Sequence, residues 1–183
     1  MWNADLFARA LDFAARAHGE QKVPGTGFPY VTHVTKVALE ALRACADDRS
    51  LDADLAMACG LLHDSMEDAG VTRAVLEAEF GAAVAAGVQA LTKDATLPRE
   101  KQMGDSLARI QAQPREVWVV KLADRITNLE EPPHYWSVEK RRKYRAEALE
   151  IHAALATAHE GLGARLLARA EAYLRFCGAP GNG

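Results

Sequence analysis

Gly60-Leu61-Leu62-His63-Asp64-Ser65-Met66-Glu67-Asp68 runs from apolar chain straight into one imidazole and three carboxylates. Unpaired charge beside a core is costly, so such a cluster must hold something or act on something. Read as helix, His63 and Glu67 stand four apart and share a face, and Asp64 and Asp68 do so one step round. His63 and Asp64 reach a common ion only if it lies at the helix end, because adjacent residues point about 100° apart. Two ligands are too few for a stable site, and the chain offers two more of the right kind. His33 lies on the inner edge of the apolar segment PYVTHVTKVAL, and Asp124 is embedded in VVKLADRITNL. A buried carboxylate calls for a cation. Lys121 and Arg125 stand close by, so a structural ion pair and a bound metal are both open readings of Asp124. Taken together, His33, His63, Asp64 and Asp124 are a two-histidine, two-carboxylate set on three apolar segments. His152 and His159 have no such company and read as ordinary satisfied histidines.

The elements that must position this set are helices almost throughout, since apolar residues recur at three and four and alternation is scarce. The spacing predicts a helix over about 4–18, then a loop, GEQKVPGTGFP, with three glycines and two prolines. Pro29 suits the first turn of the next helix, whose stripe is Tyr30, Val34, Val37, Ala38 and Ala41. Ser50 or Asp52 caps a helix through LAMACGLLHD, and Thr72 caps RAVLEAEF, which stops at Gly81. AAVAAGVQAL follows, Pro98 opens REKQMGDSLARIQ, and Pro114 opens the central REVWVVKLADRITNL. EEPPHYW breaks the pattern; Ser137 then caps a charged helix over 138 to about 159, and a last helix covers about 164–176. The expected organisation is one all-α domain over 1–178 with a flexible tail at 179–183.

Length and composition agree: 183 residues, 49% hydrophobic and 26% charged, describe one globular domain. A net charge of −3 gives no global basic field, which argues against a nucleic-acid binder and confines any phosphate contacts to local cations. Cys45, Cys59 and Cys177 are odd in number and lack zinc-finger spacing, so free thiols in a reducing cytoplasm are expected. The N-terminus does not read as a signal peptide, and no apolar run approaches a membrane span. No self-complementary patch can be located, so the sequence sets no oligomeric state.

Three blocks appear in order: HxxxVA at 33–38, LLHDxxED at 61–68 and KLADRxxN at 121–128. They resemble the HD-domain phosphohydrolases, in particular the hydrolase domain of the RelA/SpoT group and its small stand-alone, Mesh1-like alarmone hydrolases. The resemblance implies a single HD-type helical bundle in which His33, His63, Asp64 and Asp124 bind a divalent metal, usually Mn2+. Imidazole and carboxylate donors without thiolate suit that ion or another octahedral metal, with zinc as an alternative. It implies too that Glu67 and Asp68 handle the attacking water, as carboxylates one turn from the ligands can. Their other reading is solvated acids at a helix end, where they oppose the helix dipole. The implied substrate is a (p)ppGpp alarmone, cleaved to release its 3′ pyrophosphate.

By the same resemblance Asn128 approaches the nucleoside, Tyr144 stands near substrate, and Lys93, Arg99 and Lys101 flank a phosphate-side segment. The loop departs from the family: Val23 and Pro24 occupy the positions of a basic pair that contacts the base, with Lys22 a partial substitute. Lys36 and Lys121 face phosphates or water, and His134, Tyr135 and Trp136 are candidates for a pocket wall. The departure leaves (p)ppApp, NADPH, a dNTP, or a non-catalytic nucleotide-binding domain as alternatives.

Overall fold

The computed structural model describes residues 2–178; the expected tail at 179–183 lies outside them. Asn3 caps α1 (Ala4–His18), its side-chain oxygen accepting from the amides of Asp5 and Leu6. α2 (Val31–Asp47) turns Val34, Val37, Ala38, Ala41 and Ala44 inward, the three-and-four spacing of a helix with one buried face. Asp52, not Ser50, caps α3 (Ala53–Leu62), accepting from the amides of Asp54 and Leu55. Residues 56–62 of α3 are all buried, so this helix has no solvent face. Pro114 precedes α8 (Arg115–Asn128), which buries six apolar residues together with Glu116, Lys121, Asp124 and Arg125.

α2, α3 and α8 pack on one another and form the centre of a single hydrophobic core. α2 and α3 come closest at Gly60, where an added Cβ would lie 2.8 Å from the Cα of Ala38. α1 lies against α3, while α5 (Arg73–Phe80) and α6 (Ala82–Leu91) pair with each other. α7 (Arg99–Gln111), α9 (Val138–Leu155) and α10 (Glu160–Ala172) cover α8. The molecule is an all-α bundle; among the described residues the one extended pairing is an isolated bridge between Lys22 and Pro29.

Four helix boundaries differ from the sequence reading. The helix expected to run through His63-Asp64 stops at Leu62, and these two residues form a joint before the short α4 (Ser65–Ala69). Two side chains take up carbonyls at this joint: His63 Nδ1 bonds that of Gly60 at 2.9 Å and Ser65 Oγ donates to that of Leu62 at 2.6 Å. Those carbonyls are then committed locally. The charged helix ends at Leu155 rather than His159, and one 3-10 turn (156–158) follows. His159 caps α10, its Nδ1 accepting from the amide of Leu162 at 3.1 Å, so the last helix starts at Glu160 rather than about Ala164. That helix ends at Ala172, and a second 3-10 turn covers 173–176.

The three cysteines are buried and unpaired, and burial raises the thiols of Cys45 to about 11 and Cys59 to about 12. Among the described residues no helix is long and apolar enough to cross a membrane.

Candidate metal centre and nucleotide cavity

The fold gathers all four expected ligands. His33 comes from the first turn of α2, His63 and Asp64 from the joint after α3, and Asp124 from the middle of α8. One ligand atom each from His33, His63 and Asp64 lies within 4.8 Å of the others. His33 Nε2 is 3.7 Å from Asp64 Oδ2 and 3.6 Å from Asp124 Oδ1; His63 Nε2 is 2.9 Å and 3.7 Å from the same oxygens. Both Nε2 atoms are buried and lack a hydrogen-bond partner. The His63 Nδ1 proton goes to the Gly60 carbonyl, so Nε2 is the atom that faces the carboxylates, bearing a proton while the ring is charged and a lone pair once that proton is displaced. Two donors on one octahedral ion, each at about 2.1 Å and at right angles, are about 3 Å apart. The donor types present fit a divalent cation: two imidazole nitrogens and two carboxylates converge at 2.9–3.7 Å, and the buried His33 Nε2 has no hydrogen-bond partner.

A further layer of contacts fixes the carboxylates. Tyr30 Oη donates to Asp64 Oδ2 at 2.6 Å. Lys121 Nζ donates to Asp124 Oδ2 at 3.0 Å, and Asn128 Nδ2 donates to Asp124 Oδ1. The ion-pair and metal readings of Asp124 are thus compatible: one oxygen faces Lys121 and the other faces the histidines. Arg125 turns the other way, its guanidinium 4.1 Å above the ring of Tyr144. Tyr30 was expected only as a packing residue, and its hydroxyl's role depends on Asp64, 34 positions away.

The electrostatics follow from burial against opposite charge. Burial disfavours the charged form of His63, but the Asp64 and Asp124 carboxylates outweigh it and hold the imidazole well above its usual range. Burial likewise works to raise both carboxyls. The imidazole of His63 overcomes it at Asp64, and Lys121 and then the histidines overcome it at Asp124, so both lie below the carboxylate range. Burial and the neighbouring Asp64 push the Tyr30 phenol far up, which keeps it a proton donor.

Glu67 and Asp68, expected to act as a pair, have different partners. Glu67 accepts from Lys93 Nζ at 2.8 Å and from the Lys93 amide at 3.1 Å. Asp68 accepts from Gln21 Nε2 at 2.9 Å.

A cavity of about 310 Å3 opens beside His33, walled by Val23, Pro24, Phe28, Tyr30, Asn128, Trp136 and Tyr144. A second cleft of about 730 Å3 meets it at Trp136 and Tyr144 and carries Glu67, Lys93, Arg99, Lys140 and Lys143. The first space is mainly aromatic and aliphatic and is bordered by His33 among the expected ligands; the second is cation-rich and also carries Glu139 and Glu147. The outer wall is closed by backbone contact: Gly25 has φ +78°, and a Cβ there would lie 2.8 Å from the Cα of Pro133.

The expected substrate residues divide accordingly. Asn128 and Tyr144 line the first cavity, and Lys93 and Tyr144 the second. Lys22 is exposed and lines neither, whereas Val23 and Pro24 both line the first. Lys36 lines the first cavity, paired with Glu130 at 3.1 Å. Of the aromatic trio only Trp136 forms wall, and of the loop cations Arg99 lines the cationic cleft while Lys101 does not.

Comparison with known proteins fits this geometry. Over 147 residues the chain is 31% identical to the guanosine-3′,5′-bis(diphosphate) 3′-pyrophosphohydrolase MESH1 of Homo sapiens, covering 78% of this chain and 80% of the human protein. It is 33% identical over 157 residues to a guanosine-3′,5′-bis(diphosphate) 3′-pyrophosphohydrolase of Aquifex aeolicus, spanning 84% of this chain but 21% of that longer protein. In fold it is similar to the solved structure of a metazoan ortholog of SpoT that hydrolyses ppGpp (TM-score 0.80, 23% identity, 94% of this chain and 97% of that one). The family model described as HD domain matches residues 10–161, a span that holds all four histidine and aspartate donors, and the chain belongs to the HD-domain family.

Proposed function

We propose that the chain is a metal-dependent nucleotide pyrophosphohydrolase of the cytoplasm that removes the 3′ pyrophosphate of (p)ppGpp or a related alarmone. The observation that carries the reading is the convergence of the two buried Nε2 atoms on the Asp64 and Asp124 carboxylates, with His33 at the edge of an aromatic cavity. The activity for which the human and Aquifex relatives are named supports it. His33, His63, Asp64 and Asp124 hold the ion, and their donor set suits Mn2+. When bound, the ion supplies Lewis acidity toward a phosphoryl oxygen and makes water a stronger acid.

The chain does the rest. Tyr30, Lys121, Asn128 and the Gly60 carbonyl orient the ligands. Asp68 accepts the proton of the attacking water. Glu67 holds Lys93 at the cationic cleft, where the ammonium faces the departing pyrophosphate. Trp136 and Tyr144 flank the nucleoside, and Asn128 contacts its sugar side. A second reading, hydrolysis of another nucleotide such as (p)ppApp, NADPH or a dNTP, is favoured by the uncharged Val23-Pro24 wall.

The test is incubation with Mn2+ and a panel of ppGpp, pppGpp, ppApp, NADPH and dNTPs. Pyrophosphate from the guanosine compounds supports the first reading. Turnover of ppApp, phosphate from NADPH or triphosphate from a dNTP moves it to the second, and no turnover with any divalent metal leaves a binding domain.

A further inference from the structure

Asp68 is an exposed carboxylate on a five-residue helix, yet its oxygen is held by a side chain 47 positions earlier. Gln21 Nε2 donates to Asp68 Oδ2 at 2.9 Å, and Gln21 Oε1 lies 2.8 Å from Nδ1 of His18. A carboxylate accepts only, so the Gln21 amide group must face Asp68 and its carbonyl must face His18. His18 Nδ1 therefore carries the proton. The other ring nitrogen, Nε2, is buried without a partner in a residue that is 5% exposed. The ring is held by Tyr30, 4.8 Å away between centroids, and Tyr30 in turn donates to Asp64. The backbone of Gln21 is pinned as well: its amide donates to the His18 carbonyl and its carbonyl accepts from the Tyr30 amide, each at 2.9 Å.

We infer that His18 and Gln21 are positioning residues for Asp68. They form a directional chain, His18 Nδ1–H to Gln21 Oε1 and Gln21 Nε2–H to Asp68 Oδ2, that fixes the carboxylate oxygen left free to meet water. The inference rests on the proposed role of Asp68. It adds that the C-terminus of α1 and the start of the following loop set that role. Tyr30 and the His18 ring against it support Asp64 and Asp68 from one stack, so ligand and proton acceptor keep a fixed relation.

Gln21→Glu is the discriminating variant. It keeps the shape and the acceptor toward His18, replaces the donor by a carboxylate beside a carboxylate, and leaves the four ligands untouched. With the substrate that the wild-type protein turns over, the expected result is a kcat lower by about 10–100-fold, as for other lost orienting partners. KM, Mn2+ affinity and melting temperature stay unchanged. In an Asp68→Asn background the same substitution has no further effect, because both act through one group. A kcat for Gln21→Glu within about twofold of wild type, or full additivity in the double variant, overturns the inference. A second readout needs no turnover: 15N NMR of the metal-free protein should show neutral His18 protonated on Nδ1, and an Nε2–H signature refutes the chain of bonds. A wild-type protein inactive on the whole panel would sink the proposed function, while the NMR result still decides whether the chain of bonds exists.

Discussion

Asp124 meets two kinds of partner with two oxygens, and that division sets what its removal does. Asp124→Ala takes away a ligand and leaves Lys121 buried without a counter-charge. The metal-free protein should lose about 3 kcal/mol in urea unfolding, in the range for a broken buried pair. Asp64→Ala should abolish Mn2+ binding in calorimetry, whereas Glu67→Ala keeps the ion and loses most turnover by releasing Lys93. The raised imidazole of His63 gives a pH dependence of definite sign. Its proton stabilises the ion-free fold fully below the unfolded imidazole value and ceases to as pH rises through the higher folded value. Ion binding must displace that proton, so Mn2+ affinity rises over the same window. Calorimetry near neutral pH in buffers of different ionisation heat should register proton release; none would contradict the proton competition at His63. The grouping of His33, His63, Asp64 and Asp124 was legible in the sequence, from residue type and apolar company. The different partners of Glu67 and Asp68 were not, since Lys93 and Gln21 lie 26 and 47 positions away.

At the scale of elements, the spacing of the ligands is the spacing of α2, α3 and α8. Gly60 sets the first of these distances by admitting Ala38 to backbone contact. Gly60→Ala should cost about 1–3 kcal/mol, the range for overpacking a tight core. It should also weaken Mn2+ binding by parting His33 from His63, which thermal melts with and without metal would separate. Helical periodicity predicted these elements and most of their caps, because apolar stripes and capping residues are local signals. It missed the joint at His63-Asp64, where two side chains capture the carbonyls of Gly60 and Leu62. It also placed the start of α10 too late, since histidine is not among the usual N-cap residues that mark a helix start, whereas here it is satisfied by capping that helix.

For the molecule as a whole, an ion held by the proposed ligands would tie three central helices and act as a ligand of the folded state. Saturation at about 100 times the dissociation constant adds about 2.7 kcal/mol, and about 2–4 °C per kcal/mol applies at this size. Chelation should therefore lower the melting temperature by about 5–10 °C, and the Asp64→Ala protein should show no such drop. The contact of Gly60 with Ala38 has another consequence, in time rather than space. Amides buried along α2 and α3 can exchange with deuterium only when the core itself opens, whereas those of the glycine-rich loop at 19–30 exchange through local excursions. The helices behind the proposed ion site and the loop wall of the cavity therefore keep different clocks. A nucleotide leaving past Val23 and Pro24, as the proposed function would have it, needs an excursion of the loop and no opening of the core.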